Sequence, residues 1–239
     1  MKKYTEEEKK IIIEQIAENP AKYLKDSVLA SLPGFMLEVV KRKVHALEYA
    51  SEKLKSDKEF MLKALLIWSF DKYETKNYSS GLKYASEELK SDKEFMLAVA
   101  EFDKSSLEYA SEKLKSDKEF MLAALKNDEY ALKYASEELK SDKEFMLAAL
   151  EYTYQVKDYA SRKLKLDREF ALELAKDHPA LLRYEIPKTF ALDKEFIKEV
   201  VKCNSLAIFF VREELESDKE FMSELDEIDK NSTQTPKKR

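Results

Sequence analysis

His45, His178 and Cys203 are the side chains from which a general base, a thiol nucleophile or a zinc site would have to be built, because the 239-residue chain has two histidines and one cysteine. Asp177 precedes His178, which sets a carboxylate beside an imidazole as a general base requires, yet no nucleophile is identifiable for the pair to activate. One thiol and two imidazoles do not make a zinc ligand set, and one cysteine forms no internal disulfide. Cys203 follows Lys202 and reads as a structural thiol. The only glycines, Gly34 and Gly81, leave no glycine-rich loop to cradle phosphates. Aspartate and glutamate are abundant, but they recur at exposed helical spacing with lysine, as solubilising pairs do. The chain is therefore expected to be no enzyme and to carry no cofactor and no metal.

Binding chemistry is better represented. Trp68, the only tryptophan, stands with Ile67, Phe70, Tyr73 and Tyr78 in the stretch 66–80. Rigid aromatics on a projecting segment are typical of protein-binding hot spots; the competing reading is a lengthened helix that tucks Trp68 against the scaffold. A second set is a ladder at one register: Tyr49, Tyr84, Tyr109, Tyr134, Tyr159, Tyr184 and Phe210. Such rings could stack bases or settle into the seam with the next unit, hydroxyl toward water. Lys41-Arg42-Lys43, near His45, could hold a phosphate or an acidic partner, or could be a solvated corner.

The elements that must position these residues are repeats. Phe35, Phe60, Phe95, Phe120, Phe145, Phe170, Phe196 and Phe221 are separated by 25, 35, 25, 25, 25, 26 and 25 residues. A fixed period of that size marks a stacked array. Each unit holds two short helices. The first begins at Asp57, Asp92, Asp117, Asp142, Asp167, Asp193 or Asp218, an N-cap followed two places later by a dipole-favoured Glu. Ser precedes this Asp in most copies and could cap instead, but Leu166 and Leu192 replace it in two. The first helix turns Phe, Leu and Ala or Leu inward. A polar junction such as Lys126-Asn127-Asp128 leads to the second helix, with Ala131, Leu132, Ala135 and Leu139 on one stripe. Period-two alternation and hairpin dipeptides are absent. The fold class is all-α, an α-solenoid of two-helix repeats of about 25 residues with helical caps.

The run Asp117-Lys118-Glu119-Phe120-Met121-Leu122-Ala123-Ala124-Leu125, followed by Tyr134-Ala135-Ser136-Glu137-Glu138-Leu139-Lys140, resembles the tandem repeats of domain-of-unknown-function family four-one-one-six. The resemblance covers about Leu32 to Met222. It implies helical repeats and no catalytic residues.

Residues 1–31 read as N-terminal capping helices, opened by a Thr5–Glu8 capping box and stopped at Asn19-Pro20. The repeats then occupy 32–220, interrupted by the insertion at about 66–80, and a C-terminal cap and a disordered tail are expected at 221–230 and 231–239. The region from Lys176 to Val211 departs from the pattern: Pro187 interrupts the second helix, and Ala207-Ile208-Phe209-Phe210-Val211 is unusually apolar. Phe209 stands where other units carry Lys133, Glu108, Arg183 or Asp158, which suggests either contact with the C-terminal cap, the favoured reading, or a partner patch. The formal charge of −5 disfavours generic phosphate neutralisation. Neither a signal peptide nor a membrane span is visible, so the chain is expected to be cytoplasmic or otherwise intracellular, without a membrane partner. The expected function is a scaffold that binds another protein through the insertion and one face of the solenoid. The alternative is a nucleic-acid-binding array using the tyrosine ladder and local basic residues.

Overall fold

A computed structural model describes residues 5–25, 27–69 and 81–233. Helices and 3-10 turns make up its regular structure, and no strand occurs among the described residues. Two compact units divide the chain, residues 1–134 and 135–239.

The first unit opens with the helix Glu6–Glu18. Its start is the capping box expected from sequence: Glu8 N–H donates to Thr5 Oγ1 at 3.2 Å, and Thr5 N–H donates to Glu8 Oε2 at 2.7 Å. Ile16 and Ala17 are buried, and the helix packs on Pro33–Val40, the long helix of the first repeat. Pro33–Val40, Lys58–Ser69, Lys93–Phe102 and Lys118–Asn127 then pack one on the next. In the second unit Lys143–Ala149, Arg168–Asp177, Lys194–Cys203 and Lys219–Thr233 do the same. Leaning each long helix on its neighbour is what lets so short a unit bury an apolar side.

Three polar residues punctuate the regular repeats. At Phe120, Asp117 caps the long helix by accepting the Phe120 N–H at 2.9 Å. Ser116 only follows the preceding short helix, so the aspartate is the cap, and Asp92, Asp142 and Asp167 repeat the bond. At the junction, Asp103, Asp128, Thr153 and Asn204 each accept the N–H two residues on, opening the next turn. The third residue is the serine of Tyr-Ala-Ser. Ser51, Ser86, Ser111, Ser136 and Ser161 each accept the N–H three residues later and start a short helix.

That serine corrects the two-helix reading. The expected second helix is two pieces: a 3-10 turn such as Lys104–Tyr109 and a four-residue helix such as Glu112–Lys115, with Ala110 and Ser111 extended between them. The break frees the serine N–H, which donates to a carbonyl of the preceding repeat. Ser51 reaches Ala30, Ser86 reaches Lys55, Ser111 reaches Lys90 and Ser161 reaches Lys140, each at 2.9 Å.

Phe95 and Phe120 in the first unit and Phe145, Phe170 and Phe196 in the second are at most 1% exposed and centre the core of each. The residue beside the phenylalanine differs from expectation. Met96, Met121 and Met146 are fully buried, whereas Leu97, Leu122 and Leu147 are half-buried, because Phe, Met, and the residues four on from each share the inward stripe. Two boundaries also move. Leu66–Ser69, assigned to the insertion, continue the helix Lys58–Ser69. Asn231–Thr233, assigned to the tail, extend Lys219–Thr233, since no Pro or Gly stands there to break the helix.

Candidate interaction surface

Chemistry-bearing residues do not converge. His178 Nε2 lies 3.2 Å from Asp177 Oδ2, its sequence neighbour, at an exposed junction, and Cys203 is free and exposed. No group of three or more His, Cys, Asp or Glu is placed to hold a metal among the described residues. Lys41, Arg42 and Lys43 meet acid rather than an open anion site. Lys41 pairs with Glu38, the Arg42 guanidinium donates to the Glu38 carbonyl at 2.7 Å, and Arg42 and Lys43 line a cleft that also carries Glu14 and Glu18.

Of the insertion candidates, Trp68 lies on the last turns of Lys58–Ser69. Phe70, Tyr73 and Tyr78 fall outside the described residues, as do the side chains of Trp68 and Tyr184. The ladder is better defined. Tyr49, Tyr84, Tyr109, Tyr134, Tyr159 and Phe210 are all half-buried. Ammonium groups sit over several rings: Lys83 on Tyr84 at 4.7 Å, Lys133 on Tyr134 at 4.6 Å and Lys140 on Tyr159 at 5.6 Å. A cation over the ring occupies a face that a stacked base would need.

A second ladder is ionic. Lys58 Nζ bridges Asp92 at 3.0 Å and Glu94 at 2.9 Å in the next repeat. Lys93 does the same to Asp117 at 2.7 Å and Glu119 at 3.6 Å, and Lys143 to Asp167 at 2.8 Å and to Glu169. The Lys93 ammonium, then the Phe120 N–H, hold the Asp117 carboxyl below its ordinary pKa, while Asp117 raises that of Lys93. At Asp92 the Phe95 N–H is the larger cause and Lys58 the smaller. These carboxylates are therefore committed to caps and seams.

What remains is the exposed surface of the second unit. The turn Ser205–Phe210 packs on the C-terminal helix Lys219–Thr233, yet Phe209 is 70% exposed and Leu206 57%, so the cap does not cover Phe209. The reason is register: the Phe209 position faces solvent in the other repeats, and Arg183 holds the strand of backbone beneath it by donating to the carbonyls of Phe209 and Val211. Tyr152, Tyr154, Leu166 and Leu192 are exposed too. Leu166 and Leu192 were legible in the sequence as lost serines, but their exposure was not.

Around those leucines the charge pattern reverses. The other short helices at the same register begin with acid: Glu52, Glu87 and Glu88, Glu112, Glu137 and Glu138, and Glu213 and Glu214. The short helix Arg162–Lys165 has no acid in its first turn, and Lys188–Ala191 has none either. Arg162, Lys163 and Lys188 are all exposed.

The chain matches the family described as Domain of unknown function (DUF4116) in four tandem segments, residues 34–69, 75–115, 117–156 and 193–230, which together cover well over half of it. The chain belongs to this family. No curated protein and no solved structure matches it. The DUF4116 segments leave out residues 157–192, the stretch that carries Arg162, Lys163, Leu166, Lys188 and Leu192. Its core nevertheless follows the DUF4116 pattern: Asp167 caps Arg168–Asp177, and Phe170, Ala171, Leu174 and Ala175 are buried. Among the described residues, no helix is long and apolar enough to cross a membrane.

Proposed function

We propose that the chain is a non-enzymatic helical-repeat scaffold that binds another protein. One observation carries this reading. In the unit 135–239 the core positions keep their small and large apolar residues, while solvent-facing positions that are polar in regular repeats hold Tyr154, Leu166, Leu192 and Phe209, each at least 36% exposed. Exposed apolar groups at positions that regular repeats keep polar are candidate contacts for a partner. Trp68 on the helix Lys58–Ser69 and Phe70, Tyr73 and Tyr78 of the insertion remain candidate contacts, since repeat arrays accept insertions that serve binding. The nucleic-acid alternative draws less support, because lysines already cover ring faces of Tyr84, Tyr134 and Tyr159.

The test is affinity capture from nuclease-treated lysate with the full chain, beside variants Phe209→Ser and Trp68→Ala whose circular dichroism and Tm match the parent. A protein retained by the parent and lost from either variant supports the scaffold. Retention of nucleic acid instead, falling steeply with log salt, overturns it, and so does failure of the parent to retain any protein.

A further inference from the structure

We propose that the face formed by Arg162–Lys165, Leu166, Lys188–Ala191 and Leu192 receives an acidic peptide segment that also carries apolar side chains. The inference rests on the protein-binding reading and names the chemistry of the partner.

Two substitutions coincide in two successive repeats. The first puts Arg162 and Lys188 where the regular short helices begin with Glu, Lys163 standing where Lys53 and Lys113 also stand. The second is the exchange of Ser for leucine at the end of the short helix, at Leu166 and Leu192, 56% and 36% exposed. Each alone would be an ordinary surface change. Together they put cations and apolar groups side by side at matching positions of neighbouring repeats, on a chain whose formal charge is −5. Arg162 and Lys163 make no ion pair among the described residues, and Lys188 is held by Glu214 at 3.1 Å. Arg162 and Lys163, without such a partner and beside the exposed Leu166, are complementary to a segment that carries acidic and apolar side chains.

The same seam has an opening. In regular repeats the serine N–H donates to the preceding repeat, as Ser161 does to Lys140. Pro187 occupies the serine position against Lys165 and has no N–H to donate. Beside it lies a cleft of about 250 Å³ with Leu174, Leu181, Ile186 and Pro187 as its apolar lining and Lys157, Lys165 and Glu185 at its polar edge. That is below the roughly 300–1,000 Å³ of small-molecule sites, and it suits one inserted side chain. Lys165 and Pro187 directly adjoin Leu166 and Lys188 in the chain, so the cleft borders the two short helices that carry the face. A bilayer is flat and could not use the cleft. A nucleic acid would need more free cations than the face provides.

The test uses the full chain and fluorescence anisotropy with a labelled peptide of alternating Glu and Leu. The controls are a Lys–Leu peptide, a Glu–Ser peptide, vesicles of anionic phospholipid and a single-stranded oligonucleotide. The Glu–Leu peptide is expected to bind and the two control peptides to bind at least about tenfold more weakly. Two double variants restore residues of regular repeats, Arg162→Glu with Lys163→Glu and Leu166→Ser with Leu192→Ser, and Arg162→Ala is a milder single change. Each is expected to lose about tenfold or more in affinity while circular dichroism and Tm stay at the parent values. Binding of the Glu–Leu peptide that no variant weakens overturns the proposal. So does absence of peptide binding, or vesicle or oligonucleotide binding with the same sensitivity to the variants. If the peptide fails while lysate capture still retains a protein partner, this assignment is wrong and the scaffold reading stands. If the parent captures no protein at all, it is the scaffold reading that fails.

Discussion

The backbone N–H of Ser111 donates to the carbonyl of Lys90, 2.9 Å away in the preceding repeat, while the Ser111 hydroxyl accepts the N–H of Leu114 in its own short helix. One residue thus closes a seam and starts a helix. The extended backbone at Ala110 and Ser111 is what makes both bonds available, since a serine inside a continuous helix would spend its N–H on the carbonyl four residues back.

The polar punctuation should therefore show in stability by position rather than by residue type. Asp117→Ala and Ser111→Ala each remove an N-cap and are expected to cost about 0.5–2 kcal/mol. Ser116→Ala, one residue from Asp117 and capping nothing, is expected to fall within about 0.5 kcal/mol of the parent. Urea unfolding of the three variants measures the order. A larger cost at Ser116 than at Asp117 would restore the serine as the cap of the long helix.

The ionic ladder predicts a pH profile. The carboxyls of Asp92, Asp117, Asp167 and Asp218 sit below their ordinary pKa, mainly through lysine partners and the N–H groups they cap. Each binds protons less readily folded than unfolded, so its stabilisation is present above the ordinary value of about 3.9 and disappears as pH falls through the depressed one. Lys58, Lys93 and Lys143 are raised by the same contacts. Their contribution is present below about 10.4 and lost as pH climbs past it. Tm should hold level between these limits and drop below about pH 4. Asp117→Asn keeps a capping oxygen but loses the charge, so the gap between parent and variant should narrow in acid and in high salt. A gap that widens as pH falls would contradict the ladder.

Packing at one register gives a prediction of opposite signs. Ser106 occupies the position of Ala46 and Ala131, is fully buried, and leaves its hydroxyl without a hydrogen-bond partner. Ser106→Ala should stabilise by about 1 kcal/mol by relieving that buried polar group. Gly81 stands at the same register, yet there a Cβ would come within 2.9 Å of Leu65 Cδ2 and 3.0 Å of Val44 Cγ2. Gly81→Ala should cost about 1–3 kcal/mol by overpacking. Its backbone is ordinary, with φ at −74°, so close approach alone is the reason. Thermal melts of the two variants should move in opposite directions.

The period was legible because the same buried phenylalanine returns with each unit, and burial restricts a position far more than exposure does. The aspartate caps were legible for a related reason: a cap needs one of a few side chains at a fixed offset. The break at Ser111 was not. Ala131, Leu132, Ala135 and Leu139 keep helical spacing across the equivalent break at Ser136, so an apolar stripe alone could not separate one helix from a 3-10 turn and a short helix. Surface function was least legible. Phe209 was expected to touch the C-terminal cap because apolar residues are usually covered, and it is 70% exposed. Leu166 and Leu192 counted in sequence only as missing serines, whereas their meaning depends on exposure and on the cations of the same repeats.

The tyrosine ladder separates structure from recognition most directly. Tyr109 is half-buried at the end of the 3-10 turn Lys104–Tyr109, immediately before the extended Ala110 and the Ser111 seam bond. A ring there covers the joint at which the chain leaves one turn and clamps the preceding repeat. Tyr134 holds the equivalent place and lies under the Lys133 ammonium at 4.6 Å. Both should behave as seam residues. Tyr109→Ala and Tyr134→Ala are expected to destabilise by about 1–3 kcal/mol, the range for losing part of a large buried side chain. Phenylalanine at either position should recover most of that, because the ring fills the seam and the hydroxyl reaches water. Affinity for a captured protein partner, measured below the melting transition, should stay within about threefold of the parent, the ordinary spread for residues outside a hot spot. Stacking of bases predicts the reverse: oligonucleotide affinity lost with Tm unchanged, at a cost of about 1–3 kcal/mol per ring. Measuring Tm and both affinities on the same four variants decides between a ladder that holds the repeats together and one that reads a ligand.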